Sequence, residues 1–158
     1  MTFDLDRFKR AQEGPGGFAT ALRELEAGAK RSHWIWYIFP QLVGLGQSPA
    51  AEMYGVRGAD EAAAYLRDPL LRERLLAVAN AALAHLQRKT PVPLSRLMGS
   101  EIDALKLVSS MTLFREIAIR LDDDEVADAA EGILQAARAE GLRECAFTLA
   151  ELDSQRRA

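Results

Sequence analysis

Lys30, Arg31 and His33 stand directly before Trp34 and Trp36 in the stretch KRSHWIWYIFPQLVGLG at residues 30–46. Ammonium and guanidinium groups meet phosphate or carboxylate, and an indole face stacks on a planar ring. The juxtaposition therefore suits a ligand that joins an anionic group to a flat one. Gln41 adds an amide able to donate and accept at a polar edge. If a reaction occurs, His33 is the best candidate for its general acid or base, because imidazole titrates near neutrality. The structural reading stands beside this one: Trp34 and Trp36 form core, and Lys30 and Arg31 are merely solvated.

A second set lies in DALKLVSSMTLF at residues 103–114. On a helix Asp103, Lys106 and Ser110 fall within an arc of about 60°. Burying an ammonium without a partner costs several kcal/mol, so Lys106 either pairs with a carboxylate such as Asp103 or lines a cavity where an anion or water compensates it. Ser109, Ser110 and Thr112 offer hydroxyls to a ligand, or bond back to the preceding turn of their own helix.

Other patterns carry less. Gly44 and Gly46 precede a helix start as glycines do in phosphate cradles, but no strand precedes them and neither the P-loop nor the dinucleotide fingerprint matches. Cys145 follows Glu144, a carboxylate expected to raise the thiol pKa, and is not nominated as a nucleophile. His85 reads as a surface or helix-end residue, and no third His or Cys stands near either histidine, so no metal site is expected. The acidic run from Asp122 to Glu131 reads as the solvated start of a helix. No cofactor is implied.

A chain of 158 residues, 49% apolar and 27% charged, suits one globular domain. The net charge of −3 disfavours nucleic acid as a bulk partner. With a single cysteine, no apolar leader in MTFDLDRFKR and no long apolar run, the expectation is a cytoplasmic protein with no membrane contact, monomeric or homodimeric.

The elements that position these residues all read as helices. Asp4 or Asp6 caps a first helix carrying Phe8, which Gly14–Gly17 breaks; a second runs from Phe18 to Ala27. The aromatic block is read as a short buried helix ending near Pro40, although alternation of Trp34, Trp36 and Ile38 also fits a strand. Ser48 and Pro49 open another helix, Ala59 begins one that stops before Pro69, and residues 70–89 form the longest amphipathic element. After Gly99, SEID reads as a capping box in which Ser100 and Asp103 each satisfy an amide. The helix it opens, about 101–118, is apolar all round and central. Helices at 124–140 and 142–152 follow, and residues 154–158 are expected to fray. The fold class is all-α, a single multihelical domain spanning residues 1–153.

Four blocks, SHWIWYIFPQLVGLGQSP, MYGV, DEAAAYLRDPLLRERL and DALKLVSSMTLF, occur in an order and at distances that resemble a bacterial family known as domain of unknown function 1810. The resemblance covers about Asp4 to Phe114 and implies a compact multihelical domain without a settled activity. It marks His33, Trp34, Trp36, Phe39, Pro40, Gln41, Gly44, Gly46, Ser48, Tyr54, Lys106, Ser109, Ser110 and Thr112 as motif positions. Beyond Phe114 the chain departs from the family pattern. Nothing in the residues supports the calpastatin-like label sometimes attached to such proteins. Two functions follow as expectations: binding of a small anionic, nucleotide-like ligand in a pocket lined by Trp, His and Lys, or a non-catalytic interaction module in which the same residues are core.

Overall fold

The computed structural model describes residues 2–157. Among them the chain is all-α, without a strand, and a lone parallel bridge joins Leu42 to Val56. Helices α1 (Asp6–Glu13) and α2 (Phe18–Glu26) lead into α3 (Ile35–Ile38), the aromatic block, which is helical as expected. Neither Asp4 nor Asp6 caps α1; its N-cap position is Leu5, with no side-chain bond. Next come α4 (Pro49–Met53), capped by Ser48 through the Ala51 amide, and α5 (Ala59–Arg67). Asp68 closes α5 and opens α6 (Pro69–Leu86), accepting from the Leu70 and Leu71 amides at 3.1 Å each while Pro69 sits where no amide donor is needed.

A one-turn helix, α7 (Leu94–Leu97), stands between α6 and Gly99, where the sequence reading assigns no element. Its first amide has no local cap and donates instead to the Glu140 carboxylate from a distant helix, which is why local pattern could not reveal it. Helix α8 (Glu101–Arg120) is the longest at 20 residues, against 18 for α6, and reverses the expected ranking. It lies at the centre, packed on α5, α7, α9 (Asp124–Ala139) and α10 (Ala146–Arg157). From Leu107 to Phe114 it is buried on every side, although its first turns expose Ile102 and Leu105.

Phe8, Tyr65 and Phe114 stack through the core at centroid spacings of 5.2 and 5.1 Å, joining α1, α5 and α8. Edge contacts of this kind add about 0.5–1.5 kcal/mol each beyond burial. Two expectations change at the C-terminal end. Residues 142–145 are not helical, and the segment expected to fray continues as helix through Arg157; Ala158 lies outside the described residues. The reason is an anchor: Gln155 Oε1 accepts the Ala59 amide at 2.8 Å. That contact needs Gly58, whose backbone has φ 95° and where a Cβ would come within 2.9 Å of the Gln155 side chain. The acidic run opens α9 as expected, with Asp122, Asp124, Glu125 and Asp128 exposed, and some of its carboxylates form ion pairs. Asp123 caps α9 through Val126 and holds Arg72 at 2.8 Å, and Glu131 pairs with Arg115 and Arg138.

Candidate functional site

One carboxylate organises the predicted site. Asp103 Oδ2 lies 2.8 Å from Lys30 Nζ, and its Oδ1 lies 3.5 Å from Lys106 Nζ. Each ammonium also sits on an indole, Lys30 at 4.9 Å from the Trp34 ring centroid and Lys106 at 4.8 Å from that of Trp36. Asp103 therefore does not close the capping box; Ser100 alone accepts the Asp103 amide, at 3.1 Å. The two halves differ in depth. Trp34 is wholly buried and the Lys30 side chain is 5% exposed, whereas Trp36 is half-buried and Lys106 is 24% exposed.

The buried half is framework. Lys30 Nζ also donates to the Ser32 carbonyl, and the Lys30 amide donates to the Leu97 carbonyl at 2.8 Å, fastening this loop to α7. Glu24 of α2 holds the loop from the other side. Its carboxylate accepts from the amides of Arg31 and Ser32 at 2.8 and 2.9 Å, from the Ser32 hydroxyl at 2.6 Å, and from Trp34 Nε1 at 3.0 Å. Burial pushes the Glu24 carboxyl up, but these four donors outweigh it and hold the pKa at about 2. Sequence reasoning missed Glu24, since its partners lie seven to ten positions further along and no helical spacing links them.

The other predicted residues separate. Arg31 and His33 are exposed and near Trp36 in sequence, and neither side chain forms a hydrogen bond or salt bridge among the described residues. Gln41 is buried and its Nε2 donates to the Leu45 carbonyl at 2.8 Å, clasping the turn at Gly44–Gly46. That turn is no anion cradle: Gly44, at φ 101°, receives the ring of Phe147 3.0 Å from where a Cβ would stand. Ser109 bonds back to the Leu105 carbonyl at 3.0 Å, as Thr112 does to that of Val108 at 2.8 Å. Ser110 is wholly buried with no hydrogen-bond partner for its hydroxyl. His85 stands in the last turn of α6, in keeping with the helix-end reading, but is buried, its Nε2 3.0 Å from the Glu26 carbonyl.

A cavity of about 680 Å³ is lined by Arg57, Arg120, Arg156 and their neighbours, with no residue of the aromatic block among them. What the structure brings together instead is a shallow edge of Lys106, Trp36 and Asp103.

Cys145 also departs from expectation. Glu144 turns away from it to Arg115 at 3.3 Å and Arg138 at 2.9 Å, so the neighbouring carboxylate does not act on the sulfur. Burial raises the thiol pKa, but hydrogen-bond donors at the head of α10, the Phe147 and Thr148 amides among them, prevail and lower it. The Cys145 amide donates to Thr112 Oγ1 at 3.1 Å. The legible signal was Cys145 standing at the head of the helix pattern AFTLAEL.

Among the described residues no three His, Cys, Asp or Glu side chains group as around a metal ion, and no helix is long and apolar enough to cross a membrane. No curated protein matches the chain. A crystal structure similar to it is that of the conserved hypothetical protein Rv1873 from Mycobacterium tuberculosis. That protein is 37% identical, superposes with a TM-score of 0.76, and the match covers 96% of this chain and 97% of the other. The family model described as protein of unknown function (DUF1810) matches residues 2–145, past Phe114, where the sequence alone suggested a departure. With four-block order, fold and this match in agreement, the chain belongs to the DUF1810 family.

Proposed function

We propose that the protein binds a small anionic ligand, nucleotide-like in joining an acid group to a flat ring, at the edge where Lys106 overlies Trp36. The observation that carries this reading is one carboxylate shared by two ammonium groups. Asp103 balances one positive charge of the pair. The buried Lys30 takes the shorter contact, at 2.8 Å, so the excess charge falls on the more exposed Lys106. Trp36 presents a half-buried ring beside it, and the exposed Arg31 and His33 stand within five residues of Trp36 in sequence. In this reading Lys106 meets the anion and Trp36 the ring, while Trp34, Lys30, Gln41, Ser109 and Ser110 are support. His33 is the residue that would move a proton if a reaction follows. The single Cys145 supports a cytoplasmic setting, and the Mycobacterium relative a bacterial one.

A thermal-shift series with nucleotides and related anions, run on the native protein, Lys106→Ala and His33→Ala, tests the proposal. A ligand at a hundredfold excess over its Kd stabilises by about 2.7 kcal/mol. The shift should fall in Lys106→Ala. A shift of equal size in both proteins contradicts the assignment.

A second reading, a non-catalytic interaction module, draws on Ile102 and Leu105, 67% and 52% exposed on the first turns of α8. Ile102→Ser with Leu105→Ser would then abolish capture of a partner or dimerisation, and leave any anion response intact.

A further inference from the structure

The cavity of about 680 Å³ lies between the N-terminal segment, the start of α5 and the last turns of α8 and α10. Arg57, Arg120 and Arg156 line it, and none of the three forms a salt bridge among the described residues. Arg120 has one long contact, 3.5 Å to the Leu152 carbonyl.

Arg7 lines the same cavity and is different in kind. It is 7% exposed and its guanidinium is fully engaged: Nε donates to Met53, Nη1 to Asp4 and Glu61, Nη2 to Gly55 and Glu61. Arg7 and Glu61 cancel, and Asp4 faces Arg10 at 3.7 Å. Asp60 is then the only lining carboxylate without a basic partner among the described residues. Three unpaired guanidiniums against one unpaired carboxylate leave two positive charges, in a chain whose net charge is −3.

Its lining is tied together. Gln155 joins the last turn of α10, which carries Arg156, to the Ala59 amide at 2.8 Å, and Glu61 of the Arg7–Glu61 pair also accepts the Arg57 amide at 2.9 Å. Phe3 and Ala59 add apolar surface. A cavity of this size falls within the range of about 300–1,000 Å³ typical of small-molecule sites. Guanidinium forks match phosphate oxygens two at a time, and an excess of two charges is complemented by a dianion.

We propose that this cavity is a second ligand site, for a small organic molecule bearing two or more phosphate charges. Arg57, Arg120 and Arg156 are the recognising groups, and the site is independent of Lys106. The last turn of α10, which the sequence reads as a fraying tail, forms part of its wall.

Isothermal titration calorimetry with inorganic pyrophosphate and with adenosine diphosphate tests the proposal on the native protein, on single Arg→Gln variants at the three positions, on the triple variant and on Lys106→Ala. All three arginines are exposed and lack ion pairs, so the variants should melt as the native protein does; if the triple variant does not fold, the single variants decide. Both anions should bind the native protein, each single substitution weakening binding by about tenfold. Lys106→Ala should bind pyrophosphate, which has no ring to stack on Trp36, as the native protein does, and this separates the site from the Lys106 and Trp36 edge. No binding of either anion to the native protein overturns the proposal. So does binding undiminished in the arginine variants, or pyrophosphate binding lost in Lys106→Ala.

Discussion

Asp103 reaches Lys30 at 2.8 Å across the junction between α8 and the loop that precedes α3, and Lys30 has almost no access to water. Removing that carboxylate strands a buried cation. Asp103→Ala should lose about 3 kcal/mol of stability, the lower part of the range for breaking a buried pair, because Asp103 keeps some solvent contact. Lys106→Ala should lose less than about 1 kcal/mol, as for a partly solvated pair. Urea unfolding of the two variants measures both. Equal losses would mean that the carboxylate does not serve chiefly to hold Lys30.

Ser110 tests the opposite case. Its hydroxyl is buried without a partner, a desolvation of about 1–3 kcal/mol with no bond to offset it. Ser110→Ala should therefore be neutral or up to about 1 kcal/mol more stable by chemical denaturation. A loss of stability would show that the hydroxyl has a bonding role.

Glu24 gives a pH signature. Its folded-state pKa of about 2 lies below the ordinary 4.5, so the unfolded chain takes up the proton first as pH falls. The contribution is complete above about pH 5 and disappears as pH drops towards 2. Glu24→Gln lacks this term. The difference in denaturation midpoint between native and variant should be constant from pH 7 to about 5 and shrink below that. A difference independent of pH would contradict the assigned network.

Cys145 should alkylate with a pH midpoint below that of an ordinary thiol, since its environment favours the thiolate. Iodoacetamide rates against pH report it directly, and a midpoint at or above that of free cysteine would remove the claim.

The helices whose ends carry their own punctuation were legible: Ser48–Pro49, the stop before Pro69, Ser100 after Gly99. Those defined by distant partners were not. Helix α7 is capped by Glu140, and α10 is held to Arg157 by the bond from Gln155 to the Ala59 amide. The same division runs through the site. Pairing of Lys106 with Asp103 follows from helical spacing, but that Asp103 also serves Lys30, and that Glu24 fixes Trp34, depends on contacts between elements. A similar limit applies to the unpaired arginines, which come from three separate parts of the chain and have no local motif.

The most direct measurement of the Lys106 and Trp36 edge is tryptophan emission during titration with adenosine monophosphate. Trp34 is sealed in the core, so a ligand stacking on an indole must report through Trp36. Saturable quenching in the native protein, abolished by Lys106→Ala and preserved in the arginine-cavity variants, is the predicted result. Emission unchanged across the titration, or quenching indifferent to Lys106, would contradict the account.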